Sequence, residues 1–493
     1  MDNSRDPQPP KLGGLLKDTA IYGLSSIVGR FLNYLLVPLY TMKMSAESGE
    51  YGVITNVYAY VALLLVILTY GMETTFFRYA NKQGENAERV YSTTLWSVGT
   101  TSLLFVVLTM VFLQPIANLM QYGDHPEYIA CMFTCVAIDA FQCIPFAYLR
   151  FQKRPIKFAV LKLLFIMMSI ALNCIYYLGM DGRDAGAAFF INLICTTIIT
   201  FFFWKELRGL RHGFDGALLR RMLSYAWPIL LLGIVGVLNQ TADKMLFPYL
   251  YRETDMKEQL AIYGAVFKIA MIMAMITQAF RYAYEPIVFG KSKDNDSKEY
   301  YAVAMKYFLI FTLLAFLFVA GYIDVLKLLI GRDYWVGLRV VPIVMAAEIM
   351  MGVYFNLSFW YKLTDKTIWG AVFSGLGCVV LFAVNIVFVP RYGYVACAWG
   401  GFAGYLTAML LSYFVGQKYY PIRYPLKSMA FYVAMTLLFF ALMTLGRDQL
   451  PLWASLLANT LLIAAFVGHV VYRDLPQNLL EPMLRRLRPR QRQ

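Results

Sequence analysis

Fourteen stretches of this chain are long enough and apolar enough to cross a membrane as α-helices, and this constrains the fold more than any other feature. A helix needs about 20 apolar residues to span the hydrocarbon core of a bilayer. The connections between the stretches are short, so no loop can hold a soluble domain. The sequence therefore predicts an all-α integral membrane protein. The predicted spans are residues 15–41, 51–79, 91–113, 126–150, 155–178, 185–204, 222–248, 260–288, 300–322, 336–361, 367–389, 394–416, 426–446 and 452–472.

Composition supports the same class. Of the 493 residues, 59% are hydrophobic and 15% are charged, whereas about a quarter of the residues of a soluble protein are charged. The net charge of +14 would suggest nucleic acid as a partner of a soluble protein. Here we expect no nucleic acid, and we assign the charge to basic loops and an anionic substrate. The seven cysteines lie in or beside apolar runs, which is typical of small buried hydrophobic residues rather than of a disulfide framework.

The distribution of basic residues predicts the orientation. Lys and Arg are enriched on the cytoplasmic side of membrane proteins. Most of the 44 Lys and Arg residues fall on one side if the N-terminus is cytoplasmic. The basic tail PMLRRLRPRQRQ then faces the anionic inner leaflet, which attracts such clusters. No cleavable signal sequence is recognisable, so we expect the first span to be retained. The sequence predicts that both termini are cytoplasmic.

The chain contains an internal repeat. Six matches have offsets between 209 and 212 residues, which corresponds to six spans. An even number of spans gives both copies the same orientation, so the repeat is parallel and its axis lies along the membrane normal. The matches are Pro38 with Pro248, Tyr51-Gly52 with Tyr263-Gly264, Glu73 with Glu285, Asp139 with Glu348, Lys153 with Lys362, and Asn173 with Asn385.

The repeat predicts four segments. Residues 1–205 form an N-lobe of six helices, residues 206–221 a basic cytoplasmic linker, and residues 222–418 a C-lobe of six helices. Residues 419–493 hold two further helices and the basic tail. The substrate site of a transporter built this way is expected between the lobes near the middle of the membrane.

Three segments resemble a known group of transporters. They are GLLKDTAIYGLSSIVGRFLNYLLVPLYTMKMSAESGEYG near the start, DVLKLLIGRDYW, and VPRYGYVACAWGGFAGY. They are similar to the Wzx-like polysaccharide flippases of the multidrug/oligosaccharidyl-lipid/polysaccharide (MOP) superfamily. The resemblance implies a V-shaped, two-lobed fold that works by alternating access in the bacterial inner membrane. It also implies a polyprenyl-pyrophosphate-linked oligosaccharide as the substrate, such as an O-antigen, capsule or exopolysaccharide repeat unit, and polysaccharide-assembly proteins as partners.

Charged side chains inside the predicted spans are the candidate substrate-binding groups. A charge at the bilayer centre costs roughly 2.5–3.5 kcal/mol or more, so it should face water or a partner. Arg30 and Asn33 share one helix face, and an Arg fork matches phosphate oxygens. Lys268 is a point charge suited to a phosphate that must later leave, and Lys162 is either a second cavity cation or a partner for Asp139. For each cation the alternative is an ion pair inside a lobe or a snorkelling side chain.

Other charges are candidates for gating or ion coupling. Glu73 and Glu285 each lie late in an apolar span, where they can pair across the cavity or within their own lobe. Arg281 is four residues before Glu285, which favours a local pair, and Arg78 follows Glu73. Asp243 and Lys244 are adjacent, so we expect one to face the cavity and the other a neighbouring span. The list is therefore Glu73, Asp243, Lys244, Arg281 and Glu285, with coupling to H⁺ or Na⁺ through Asp243.

Asp139 and Glu348 occupy equivalent places and are interpreted as structural charge pairs that brace each lobe. FGKS at 289–292 lacks the upstream glycine of a nucleotide-binding loop, and three histidines with no second cysteine pair do not favour a metal site. We therefore expect no cofactor, no metal and no enzymatic activity. Besides the membrane lipids around it, the predicted partner is the lipid-linked substrate, and we expect a monomer because both lobes lie in one chain.

Alternatives remain at this stage. A lipid II flippase has the same expected features as the leading prediction. A cation-coupled multidrug antiporter of the same superfamily would need an acidic, aromatic cavity, which Arg30 and Lys268 disfavour. From a different class, a membrane glycan polymerase or ligase usually needs a sizeable outer loop, and no predicted outer loop is long.

Overall fold

The computed structural model describes residues 35–291, 297–364 and 366–474, and for residues 282–291, 297 and 448 it describes the backbone alone. Most of the described residues form α-helices, and the segments between them include a π-helical turn (Ile175–Gly179) and 3₁₀ helices such as Arg332–Val340. In chain order the helices are α1 (Leu36–Lys43), α2 (Glu50–Thr69), α3 (Met72–Ala80), α4 (Ala87–Val111), α5 (Leu113–Leu119), α6 (Pro126–Phe151), α7 (Pro155–Cys174), α8 (Ala185–Phe201), α9 (Trp204–Leu207), α10 (Gly216–Leu250), α11 (Met256–Lys291), α12 (Ser297–Gly321), α13 (Ile323–Leu326), α14 (Val341–Leu357), α15 (Phe359–Leu363), α16 (Ile368–Tyr392), α17 (Tyr394–Tyr419), α18 (Leu426–Gln449) and α19 (Leu452–Asp474).

In the described part of the chain, twelve helices are long and apolar enough to span a membrane, and a bent pair, α8 with α9 and the turn after it, adds a thirteenth. Each matches one predicted span from residue 51 onward. Of the first predicted span, 15–41, only the end lies within the described residues, as part of α1. The all-helical membrane fold predicted from the sequence is confirmed.

The second span is broken near one end. Tyr70 and Gly71 both adopt left-handed backbone conformations, with φ of 33° and 71°, and they end α2 and begin α3. Glycine adopts this conformation at no steric cost. The break places Glu73 in the first turn of a new helix rather than at the end of the long span, and it directs that helix toward α4 and α6.

Residues predicted as a basic linker carry regular structure. The chain bends by 61° after α8, and residues 204–212 form α9 followed by a 3₁₀ turn. Glu206 is buried and accepts from the Lys157 ammonium at 2.7 and 2.8 Å, while the Tyr91 hydroxyl donates to its carbonyl. The segment is therefore docked on α4 and α7.

Helix α10 connects the two parts of the molecule. Its first turns place Leu218 and Met222 in a core cluster with Phe76 and Tyr91. Its other end packs on α16 and α17, where Asn239 donates to the Ser374 carbonyl at 3.1 Å. We call residues 35–205 the N-terminal half and residues 222–418 the C-terminal half, and α10 contacts both.

The last two helices pack on α12 and are attached to the C-terminal half at both of their ends. At one end Lys306 pairs with Asp474, and at the other Asn459 donates to the Gly321 carbonyl at 2.8 Å. Arg447 pairs with Asp324 at 2.9 Å beside that second contact. The two helices are an addition to the side of the molecule.

Candidate functional site

The two halves meet closely at one end of the molecule, where α2 crosses α11. Gly52 lies against the backbone of α11, and a Cβ atom on it would clash with the Lys257 carbonyl oxygen. Gly264 lies against the side chain of Thr55 on α2. These two glycines are equivalent in the repeat, so the same small residue permits the approach from both sides. We call this the Gly52 end.

Hydrogen bonds between the halves accompany the glycine crossing at the Gly52 end. Each joins a side chain of one half to a backbone group of the other, so they depend on the two backbones being close. Together they close the Gly52 end. The contacts are the Gly331 amide to Thr41 Oγ1 at 3.1 Å, the Tyr334 hydroxyl to the Met44 carbonyl at 2.9 Å, the Gln121 amide to the Pro248 carbonyl at 3.2 Å, and Asn56 Nδ2 to the Lys244 carbonyl at 2.7 Å.

Lys268 lies on α11, one helical turn further from the Gly52 end than Gly264. It follows Gly264 by four residues on α11, and residues four apart share a helix face. We therefore expect its side chain to face the space between the halves. It is half-buried, and within the described residues no carboxylate or hydrogen-bond acceptor contacts its ammonium. An uncompensated cation in a membrane-spanning helix has an open position for an anion.

Asp243 and Lys244 do not point in different directions, so that expectation is wrong. The Lys244 ammonium curls back along the helix and lies 3.1 Å from both Asp243 carboxylate oxygens. It also lies 3.6 Å from the Phe267 ring centroid, and the Tyr263 hydroxyl donates to Asp243 Oδ2 at 2.6 Å. The long Lys stem makes this adjacent pairing possible. Both side chains are buried, and the predicted ion-coupling role stays a prediction.

The two acids interpreted as bracing charges differ. Asp139 accepts from the Thr196 hydroxyl at 3.2 Å and contacts the Cys135 sulfur at 3.9 Å. Glu348 is 6% exposed, and its Oε2 has no hydrogen-bond partner among the described residues. Within that part of the chain, neither acid has a Lys or Arg at ion-pairing distance, so the charge-pair role stays a prediction.

A separate cavity of about 320 Å³ lies within the N-terminal half, at the end opposite to Gly52. It holds two acids and two bases. Glu73 forms an ion pair with Arg150, and the Lys162 ammonium lies 4.1 Å from the Phe146 ring centroid. The described lining residues are Leu65, Glu73, Asp139, Gln142, Cys143, Phe146, Arg150, Phe158, Lys162, Phe165 and Ile199.

Glu73 pairs within its own half, which is one of the two alternatives left open by the sequence, but its partner is not the nearby Arg78. Arg78 instead stacks on the Tyr225 ring at 3.9 Å, and Arg150 takes the pairing role. Sequence reasoning missed Arg150 because it stands at the last turn of an apolar helix, where a basic residue is typical of the membrane boundary. Arg150 lies at the same end of the predicted spans as Glu73, and this was the sequence feature that could have identified it as the partner.

The remaining predicted residues are only partly described. The Arg281 guanidinium lies 4.3 Å from the Phe355 ring centroid. The side chain of Glu285 lies outside the described residues, and its pairing with Arg281 stays a prediction. Arg30 and Asn33 also lie outside the described residues.

The chain has recognisable relatives. Residues 15–287, more than half of the chain, match the family model described as "Polysaccharide biosynthesis protein". No curated protein shows significant sequence similarity to the chain. The match establishes the family.

Solved structures share the fold. The chain is similar to "Lipid II flippase MurJ, inward closed conformation", with a TM-score of 0.72 and 14% identity over 92% of this chain and 98% of that one. It is also similar to an inward-facing multidrug resistance MATE family transporter of the MOP superfamily, with a TM-score of 0.59 and 14% identity over 81% of this chain and 94% of that one. At these identities the similarity shows the fold.

Proposed function

We propose a substrate and a direction for this chain, which belongs to the polysaccharide biosynthesis family of the MOP superfamily and is a multi-pass membrane transporter. The substrate is an oligosaccharide linked to a polyprenyl pyrophosphate, and the chain moves it from the inner to the outer leaflet. Alternating access between the two halves carries the headgroup, and the polyprenyl tail stays in the lipid.

One observation supports this substrate most directly, and it is the free ammonium of Lys268. Its spacing from Gly264 on α11 supports a position facing the space between the halves, and no acid pairs with it in the described part of the chain. A pyrophosphate cannot enter hydrocarbon uncompensated, because burying an unpaired charge is costly. A cationic drug would instead favour an acidic site.

The proposed orientation follows from the charge of the loops. With the N-terminus in the cytoplasm of a bacterium, the Gly52 end faces outward and the Glu73 end faces the cytoplasm. The closed Gly52 end then corresponds to a state in which the outer leaflet is shut off. A membrane potential that is negative inside favours outward movement of an anion by roughly 2.3 kcal/mol per charge at 100 mV.

The test is loss of the chain from its host, followed by analysis of lipid-linked intermediates in the two leaflets. The proposal expects a complete, lipid-linked oligosaccharide to accumulate on the cytoplasmic side, and re-expression of the chain should clear it. Accumulation of undecorated lipid II would point to the lipid II alternative. Accumulation of exported but unpolymerised units would indicate a polymerase and would refute the proposal.

A further inference from the structure

We propose that the cavity of the N-terminal half is the loading site for the substrate pyrophosphate at the inner leaflet, with Glu73 occupying Arg150 until the substrate displaces it. This inference rests on the proposed function and adds a second anion site to Lys268. It is carried by the position of the cavity, the state of the Arg150 side chain, and a second cation deeper in the same cavity.

The end of the cavity that holds Glu73 and Arg150 lies at the depth of lipid headgroups. Arg150 is 24 residues along α6 from Pro126, which corresponds to about 36 Å at 1.5 Å per residue. The hydrocarbon core is about 30 Å thick, so a helix that starts at the outer boundary brings Arg150 to the inner one. Glu73 reaches the same level through α2 and the first turn of α3. A pyrophosphate of the inner leaflet is at this depth before it moves.

Aromatic contacts hold the Arg150 side chain in place, but not all of its hydrogen-bond donors have an acceptor. Its guanidinium lies 5.1 Å from the Phe77 ring centroid and 5.9 Å from that of Phe158, and such contacts favour a fixed plane. Glu73 bonds one amino nitrogen, while Nε is buried and has no partner within the described residues. Arg presents several donors in a planar fork that matches phosphate oxygens. The carboxylate of Glu73 thus fills part of a site that a phosphate could fill more completely.

Lys162 provides the next position inward. It follows Pro155 by seven residues on α7, which is about 10 Å from the inner end of that helix. Its ammonium contacts the Phe146 ring, and no carboxylate pairs with it in the part of the chain that is described. Asp139 lines the same cavity and bonds to Thr196 instead. A phosphate released from Arg150 therefore meets a second cation on the way toward Lys268.

The size of the cavity matches a headgroup anchor rather than a whole substrate. A volume of about 320 Å³ is at the lower limit of small-molecule sites, which range from roughly 300 to 1,000 Å³. It accommodates a pyrophosphate and excludes an oligosaccharide, which would remain in the space between the halves. Recognition here is then independent of the sugar.

Glu73 acts as an internal competitor in this scheme. In the empty state it neutralises Arg150. Binding of the pyrophosphate exchanges one anion for another and releases Glu73. This exchange makes an unusual prediction, because removing the charge of Glu73 should strengthen binding, whereas loss of a purely structural ion pair should weaken it.

The experiment measures binding of farnesyl pyrophosphate to the purified full-length chain in nanodiscs of phosphatidylethanolamine, with farnesol as the uncharged reference. Glu73→Gln should bind about tenfold more tightly than wild type, and Arg150→Gln at least tenfold more weakly. Arg78→Gln is the matched control, because Arg78 lies on the same helix as Glu73 and stacks on Tyr225 outside the cavity. It should bind as wild type does.

The outcomes separate the inference from the proposed function. If wild type binds farnesyl pyrophosphate no better than farnesol, the proposed function fails. If binding depends on the pyrophosphate and is lost in Lys268→Ala but unchanged in Glu73→Gln and Arg150→Gln, the loading site is refuted and the function stands. Weaker binding by Glu73→Gln would show a structural ion pair, and equal competition by phosphatidylglycerol would refute selectivity for pyrophosphate. Should Arg150→Gln fail to fold, Glu73→Gln decides the question alone.

Discussion

The two halves are alike where they touch and different one turn further along. Gly52 and Gly264 are equivalent in the repeat, and each lies against the opposite half. Four residues later the equivalent positions are Asn56 and Lys268. Asn56 is 1% exposed, donates to the Lys244 carbonyl at 2.7 Å and accepts from the Tyr122 hydroxyl at 2.9 Å. Asn56, in the N-terminal half, therefore takes part in the contacts that close the Gly52 end. Lys268, at the equivalent position of the C-terminal half, is a cation one helical turn inward of those contacts.

A second pair of equivalent residues shows the same contrast. Asn173 accepts from the Tyr40 hydroxyl at 2.8 Å and donates to the Ser169 carbonyl at 2.8 Å. Asn385 is fully buried, yet neither its oxygen nor its nitrogen has a partner in the described residues. The internal sequence repeat thus preserves the positions of these polar residues but not their hydrogen bonds. At this pair of positions the N-terminal copy makes fixed hydrogen bonds, whereas the C-terminal copy has none within the described residues.

The largest expected effect is on Lys268. Lys268→Ala should lower export of lipid-linked oligosaccharide at least tenfold while leaving the amount of protein in the membrane unchanged, because it removes the cation below the closure. Asn56→Ala should instead lower the melting temperature and reduce export less. Export is followed by the appearance of substrate sugar on the outer leaflet. Lys205→Ala, at an exposed position, is the control. Normal export by Lys268→Ala would show that Lys268 is not part of the substrate site. It would also show that Lys268 and Asn56 do not differ in function.

Much of the comparison could be predicted from the sequence. The spans follow from hydrophobic runs, which depend on neighbouring residues alone, and the pairing of Gly52 with Gly264 follows from the constant offset between repeated positions. The partner of Glu73 could not be found in this way. It depends on how far α6 slides along α3, and that register is set by packing between helices. For the same reason the sequence showed Asp243 and Lys244 as side chains 100° apart, although a flexible Lys stem closes the gap.

The next largest effect is expected at the crossing of α2 and α11, where Gly52 and Gly264 have different neighbours. Gly52→Ala brings a Cβ against the backbone carbonyl of Lys257, which cannot rotate away. It should destabilise the protein by about 3 kcal/mol, at the upper end for overpacking. Gly264→Ala meets the side chain of Thr55, and combining it with Thr55→Gly should restore much of the loss. Thermal unfolding in detergent measures both, and equal losses without rescue would contradict the asymmetry.

The paired asparagines should respond differently to alanine. Asn173→Ala leaves the Tyr40 hydroxyl without its acceptor, so a loss of about 2 kcal/mol in unfolding free energy is expected. Asn385→Ala removes two polar atoms that have no partner in the described residues, and stability should change little or increase. Melting temperatures of the two variants in the same detergent provide the measurement. A large loss for Asn385→Ala would reveal a partner or ligand for that side chain and sharpen the contrast between the halves.

The smallest effects concern ion pairs in the loops of the Gly52 end. In the C-terminal half, Asp324 is 13% exposed and pairs with Lys327 at 2.7 Å and Arg447 at 2.9 Å, so Asp324→Asn should lower the free energy of unfolding by about 1 kcal/mol.

In the N-terminal half, the carboxyl of Asp181 is largely exposed, and hydrogen bonding to Lys43 lowers its pKa. A lowered pKa stabilises the folded state above the unfolded pKa, and this contribution is lost as the pH falls through the folded value. The melting temperature of Asp181→Asn should therefore be slightly below that of wild type at neutral pH and should converge with it in acid. A larger effect for Asp181→Asn than for Asp324→Asn would reverse the expected order, since solvent screens an exposed pair more strongly.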